Sequence, residues 1–345
     1  MLYLARRLGQ AVFVLWGAFT VTFFVLFGLP GDPAIVMLTA TGVDAADLDP
    51  AAVEAVRAQY GFDQPLPVQY LHALGSALTG DFGASYSMRQ PVTEIIAKSV
   101  PVTALLAACT VLVAALIGIA LAMTIAYTRS PRLRQILLAY PPIAISMPNF
   151  WLGLLLLQLF SFQLGWLPAA GTGAGVASLV LPVITLAVWA SAPITQVLSR
   201  SLLGTQREPF VETARAKGLS RWRTLRSHSL RNASIPALTI TGVVIGGVFS
   251  GAAVTETVFS WNGLGRLTVT AVGARDIPLM LGIVTFTAIV YVLVSFAVDA
   301  TYPLIDPRIA RAAGRDRRRP AAAHPPRTDA PADSENAPSS RGAQR

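Results

Sequence analysis

What most constrains this chain is where its charges are absent. Arg7 and Asp32 bracket 24 uncharged residues, Lys98 and Arg129 bracket 30, and Arg134 and Arg200 bracket 65. A helix rises 1.5 Å per residue, so about 20 mostly apolar residues cross a hydrocarbon core. The first two runs are each one span. The third is too long for one crossing, and Gly165-Trp166-Leu167-Pro168 breaks it into two. Arg231 to Glu256 and Asp276 to Asp299 bracket the last pair, for a total of six. With 53% hydrophobic and 13% charged residues among 345, the composition is far from that of a soluble protein.

Lys and Arg accumulate on cytoplasmic flanks. With both ends inside, the inner side carries 22 of the 27: Arg6 and Arg7, three at 129–134, eight at 200–231 and nine from Arg308 on. The expected fold is therefore an all-α polytopic membrane protein. It has six transmembrane helices, both termini cytoplasmic, and an extracytoplasmic helical insertion between spans one and two. The divisions are 1–29 for the N-terminus and first span, 30–100 for the insertion, 101–311 for a five-helix core and 312–345 for a tail. The tail is rich in Ala, Pro, Ser, Asp and Arg, a composition that builds no core and predicts disorder. The apolar run after Arg7 is too long for a signal-peptide core and is expected to stay attached.

Within the insertion, Asp49 and Pro50 read as N-cap and first residue of a helix closing at Gly61, with a second helix over Pro67 to Leu78. Acids outnumber bases there, which fits either plain soluble surface or a face that receives a delivery protein. Pro91 to Ser99 is expected to lie along the interface before the second span. The third span is punctuated by Pro141-Pro142 and Met147-Pro148. Prolines at membrane depth free carbonyls that persist only inside protein or beside water, so this element either lines a pathway or is a kinked packing helix. Asn149, Gln158 and Gln196 are polar groups in apolar surroundings. They serve as hydrogen-bonded glue between helices or as pathway contacts. In the fifth span, Gly242, Gly246, Gly247 and Gly251 permit a tight helix crossing, in this chain or with a second subunit.

Catalytic and metal chemistry find no support. His72, His228 and His324 fall in three different segments, and Cys109 is the lone cysteine, so neither a metal cluster nor an intrachain disulfide is expected. Gly263-Leu264-Gly265 is no phosphate loop, because no strand precedes it and no Gly-Lys-Ser/Thr follows. Asp299, close to the inner end of the last span, reads as a headgroup contact or an arginine's partner rather than a functional acid.

One polar stretch stands out. Residues 208–232 are basic and amphipathic, inside the inner loop 200–232. Glu208 and Pro209 suit a helix's first turn, Gly218 suits a left-handed helix end with Leu219 folding back on Ala214, and Ser220 suits the next N-cap. The pattern is helix, glycine elbow, helix. It fits a loop held to anionic headgroups or a short helix docking into a partner's groove.

Glu212-Thr213-Ala214, three residues and then Gly218 resembles the E-A-A-x-x-x-G signature of ATP-binding-cassette importer permeases, with Thr213 replacing the first alanine. His228-Ser229-Leu230-Arg231-Asn232 is similar to the ending found in the peptide branch. Leu29-Pro30-Gly31-Asp32-Pro33, PNFWLGLLL from Pro148, LGWLPAAG from Leu164 and ETVFSWNGLGR from Glu256 also resemble that branch, with Asn262 replacing a proline. The resemblance, over about residues 1–311, implies the inner-membrane permease subunit of a bacterial dipeptide or oligopeptide importer. It implies a second homologous permease, most simply in a heterodimer, two ATP-binding subunits holding ATP and Mg, and an external substrate-binding protein. Glu212, Thr213, Ala214, Gly218 and Leu219 are then the ATPase-coupling loop. The same branch includes importers of nickel complexes and of glutathione. An ion-coupled secondary transporter and a membrane scaffold remain as readings of other classes; nucleic acid is not an expected partner.

Overall fold

The computed structural model describes residues 2–28, 31–39, 43–171, 173 and 175–305. The expected disordered tail, 312–345, lies outside the described residues, as does the side chain of Asp299. The chain divides into two units, Met1–Tyr302 and Pro303–Arg345, and the helical fold is that of the first. Thirteen α-helices are described. The outer group is α1 (Leu2–Phe27), α2 (Pro33–Thr39), α3 (Pro50–Tyr60) and α4 (Leu66–Leu78). Then come α5 (Val92–Tyr127), α6 (Pro131–Ser146), α7 (Asn149–Leu156), α8 (Val176–Thr205), α9 (Pro209–Ala216) and α10 (Arg221–Thr224). The last are α11 (Leu230–Val258), α12 (Leu264–Gly273) and α13 (Ile277–Ile305). Among the described residues the β pairing is one bridge, Ala84 to Pro91.

Five helical stretches are long and apolar enough to cross a membrane: Arg7–Phe27, Val92–Tyr127, Val176–Thr205, Arg221–Phe249 and Ile277–Ala297. The expected third span is not one rod. It is the pair α6 and α7, with the π-helical turn Leu157–Gln163 after α7, bent by 102°. The bend sits at Met147, whose extended backbone (φ −83°, ψ 122°) is what a following proline imposes by clashing with an α conformation. Pro141 and Pro142, by contrast, stay inside α6. Counted as one span, the bent pair makes six.

The centre of the molecule is α5 against α8. Small residues on one stripe of α5, including Ala107, Ala114 and Ala122, are buried, and a Cβ added to Gly118 would lie 2.7 Å from Ile194. Close backbone approach of this kind replaces the hydrophobic driving force that lipid does not supply. The α11 glycines also act within the chain: Gly247 faces the Trp189 ring, Gly246 faces Tyr291, and Gly251 faces Asn149 and Leu186.

At 36 residues, α5 is longer than a bilayer crossing requires. The expected interfacial segment from Pro91 to Ser99 is instead the continuous start of α5, running through Pro101. Val92, Ile95 and Ile96 pack there against Leu264, Leu267 and Ala271 of α12.

The insertion is helical, as its turn chemistry predicts. The Asp49 carboxylate accepts the Ala51 N–H at 2.9 Å, and Gly61 closes α3 at φ 68°. Asp32 caps α2 through the Ala34 N–H (2.9 Å) and pairs with Arg57 of α3. Partial burial raises the Asp32 pKa, but the Arg57 hydrogen bond and charge and the Ala34 N–H outweigh it, so the carboxyl lies below its ordinary range. The α4 helix is tied to α1 by the Thr20 to Tyr70 hydroxyl contact (2.8 Å) and by Tyr70 edge-on to Phe23 (5.4 Å).

Candidate coupling elbow and outer closure

In the polar loop 200–232, Glu208 occupies the N-cap position of α9 and Pro209 its first residue, where the missing N–H costs nothing. The helix ends in a Schellman motif: the Leu219 N–H reaches the Ala214 carbonyl (3.2 Å) and the Gly218 N–H that of Arg215 (2.9 Å). Gly218 sits at φ 84°, with nothing within 4 Å of an added Cβ, so its constraint is backbone conformation rather than space. Ser220 then caps α10 through the Arg223 N–H (3.3 Å). The π-helical turn Leu225–Ser229 carries the chain into α11.

The elbow is bolted to the nearby ends of two long helices. Leu225 packs with Ala122, Met123 and Ala126 of α5, Leu198 and Leu202 of α8, and Ala233 of α11. The Ala126 carbonyl, in the last turn of α5, accepts from Gln206 (2.9 Å) and Arg221 (3.3 Å). The Arg221 guanidinium also stacks 5.4 Å from the Tyr127 ring, and Tyr127 meets Trp222 edge-on. A cation on a helix's last carbonyls is the favourable sense of the helix dipole.

Of the residues singled out from sequence, Glu212, Thr213 and Gly218 are exposed, Leu219 is half-buried, and Ala214 is buried with Val211 against the chain itself. A partner would therefore meet the Glu212–Thr213 face and Lys217–Gly218, while Ala214 seats α9. The polar residues of the spans differ in exposure. Asn149 is half-buried beside Gly251, Gln158 is exposed on the π-helical turn, and Gln196 is half-buried in α8. Among the described residues, no hydrogen bond joins the three.

At the far end, the sequence reading missed a closure. Glu256 reads as the charge that ends a span, yet it is fully buried inside α11. Its Oε1 accepts from the Thr103 hydroxyl of α5 (2.7 Å) and its Oε2 from the Arg266 N–H (3.0 Å), with the Gly265 N–H also bonded. Thr103 Oγ1 in turn accepts the Leu264 N–H at 2.7 Å. The orphan N–H groups opening α12 are thus satisfied by one carboxylate and one hydroxyl.

The glycines make room for it. A Cβ on Gly263 would fall 2.3 Å from the Glu256 carboxylate, and one on Gly265 would fall 2.3 Å from the Ala253 backbone. An acid followed by glycines two apart was the legible signal. Asn262 accepts from Arg266 (2.8 Å), bracing the position where the resemblance expects proline. Phe259 and Trp261 are buried; the Trp261 Nε1–H donates to the Val102 carbonyl at 3.3 Å.

Helices bent and crossed in this way, with a short polar elbow between two long apolar ones, define a polytopic helical membrane protein. The fold is that of the membrane component solved in inward-facing conformations of the MetNI methionine ABC transporter. The TM-score is 0.55 at 18% identity, covering 64% of this chain and all of that one.

The chain belongs to the family described as binding-protein-dependent transport system inner membrane component, matching it over residues 114–311 and the family's N-terminal part over 1–107. Among its relatives, a putative peptide transport system permease protein of Brucella suis is 34% identical over 88% of this chain and 97% of its own. A glutathione transport system permease protein of Pectobacterium atrosepticum is 36% identical over 89% and 98%. This chain is accordingly a multi-pass protein of the bacterial inner membrane.

Proposed function

We propose that this chain forms half of the translocation pathway of an ATP-binding-cassette importer for di- and oligopeptides. A second homologous permease, in a heterodimer, completes the pathway. Two ATP-binding subunits carry ATP and Mg, and an external binding protein delivers the solute. The chain itself performs no hydrolysis. With six spans, both termini and the elbow lie in the cytoplasm.

The observation that carries this reading is the elbow's construction: an exposed acidic and small-residue face on a short helix, joined rigidly to α5, α8 and α11. Switching a pathway from 1:99 to 99:1 takes roughly 5.5 kcal/mol of differential binding, and only a connector that does not yield passes that on. The acids required for ion coupling offer little support to a secondary transporter. Among the described residues the fully buried acids are Glu256 and Asp276, and both are spent on backbone N–H and hydroxyl groups.

The test is to purify the chain with its neighbours and assay uptake. Gly218→Pro is expected to abolish ATP-dependent uptake with insertion intact; full uptake by that variant would remove the elbow from the coupling path. Glutathione is the second reading, favoured by the 36% identical relative, and nickel complexes are a third. The ligand retained by the binding protein separates them.

A further inference from the structure

Asp276, in the turn between α12 and α13, is fully buried. Its Oδ1 accepts the Leu279 N–H at 3.2 Å, the ordinary service of a capping residue. Its Oδ2 is turned elsewhere. It accepts the Ser85 hydroxyl at 2.6 Å, the Ser87 N–H at 2.9 Å and the Ser87 hydroxyl at 2.7 Å. These donors come from the outer insertion, far earlier in the chain. A buried polar group needs hydrogen-bond partners, and three convergent donors on one oxygen are more than a helix cap demands.

The donors are themselves held in place. Residues 83–92 fold back on one another: the Ser85 N–H meets the Gln90 carbonyl (2.9 Å), the Val92 N–H meets that of Gly83 (3.0 Å), and Ser85 Oγ accepts the Met88 N–H (3.0 Å). Between the two serines, the Tyr86 ring is buried with Phe19 and Phe23 of α1 and Ile277 and Leu281 of α13. The α12 helix is therefore tied at its start to α5 through Glu256 and Thr103, and at its end to the insertion through Asp276. Its outer face, with Val269 and Val272, is exposed.

We propose that Asp276 is a positioning residue through which the outer insertion holds α12, so that α12 follows whatever load the insertion takes from outside. The fold supplies the clasp. Its use in admitting solute rests on the transport reading above.

The experiment is amide hydrogen exchange on the purified full chain, comparing wild type with Ser85→Ala/Ser87→Ala and with Ser87→Thr, which keeps the hydroxyl. Exchange at 84–91 and across 264–273 is expected to rise together, by about tenfold or more, in the double alanine variant, and to stay near wild type in Ser87→Thr. The Leu219 amide of the elbow, bonded to the Ala214 carbonyl, is expected to be unchanged. A rise confined to 84–91, or no rise at all, overturns the proposal.

A second arm assays the complex assembled with its ATPases, where binding-protein stimulation of ATP hydrolysis is expected to fall about tenfold in the double alanine variant. Unchanged stimulation overturns it. Failure of the transport reading appears separately, as a wild-type chain that recruits no ATPase while the exchange arm still decides the clasp.

Discussion

The elbow's glycine offers the sharpest test of how α9 is terminated. Gly218 stands at φ 84° with open space around its Cβ position. An alanine there clashes with nothing but must adopt a left-handed backbone, at a cost of about 1–2 kcal/mol. Since 1.4 kcal/mol is a factor of ten, the Schellman geometry in Gly218→Ala should be populated roughly tenfold less relative to frayed alternatives. The Leu219 amide, bonded to the Ala214 carbonyl, reports this directly, and its exchange should quicken by about the same factor.

Gly218→Asn is the discriminating variant, because asparagine tolerates the left-handed region; it should keep protection within about threefold of wild type. Gly218→Pro loses the N–H that reaches Arg215 and fixes φ near −65°, and should remove the motif outright. ATP-dependent uptake should fall in the same order. If alanine and asparagine behave alike, or if exchange at Leu219 does not respond, the glycine is not there for its conformation.

Other consequences are as definite. Gly265→Ala drives a Cβ into the Ala253 backbone and should cost about 1–3 kcal/mol, read as a lower unfolding temperature, while Gly273→Ala, with nothing within 4 Å, should be mild. Gly247→Ala meets the Trp189 ring at 2.6 Å and should destabilise comparably, with Trp189→Leu as a second substitution restoring much of the loss. Asp32→Ala removes the α2 cap and should cost the insertion about 1 kcal/mol, seen as faster proteolysis between α2 and α3. Because the Asp32 pKa is lowered on folding, its contribution is complete above the ordinary carboxyl value of 3.8 and disappears as pH falls through the folded value. Insertion stability through this group should therefore be flat from about pH 5 to pH 8 and decline only in stronger acid.

Much of this architecture is legible in charge spacing and turn chemistry. Asp49, Pro50 and Gly61 mark α3, and Glu208, Pro209, Gly218 and Ser220 mark the elbow, because caps and left-handed ends have local chemical requirements that a sequence displays. What escaped reading is non-local. Counting charges makes Glu256 a span boundary, whereas Thr103, 153 residues earlier, and the adjoining start of α12 draw it inside. Asp276 looks like a second boundary, because its three donors lie in a different segment. Phe259 and Trp261 are covered from distant segments, Phe259 by Leu157 and Leu181 and Trp261 by Leu106, Val183 and Leu186. Gln158, read as helix–helix glue or a pathway contact, lies on the exposed side of a π-helical turn, whose wider turn shifts faces in a way that no 3.6-residue pattern anticipates.

At 1.5 Å per residue, the 36 residues of α5 make a beam of about 54 Å. One end packs on α12 through Val92, Ile95 and Ile96, and the other receives Gln206 and Arg221 on the Ala126 carbonyl. A stiff beam pivoting near its middle swings its extremities in opposite senses, and a tilt of only about 5° displaces each by about 2 Å. Under the transport cycle proposed above, such a tilt would join opening on one side of the membrane to closing on the other.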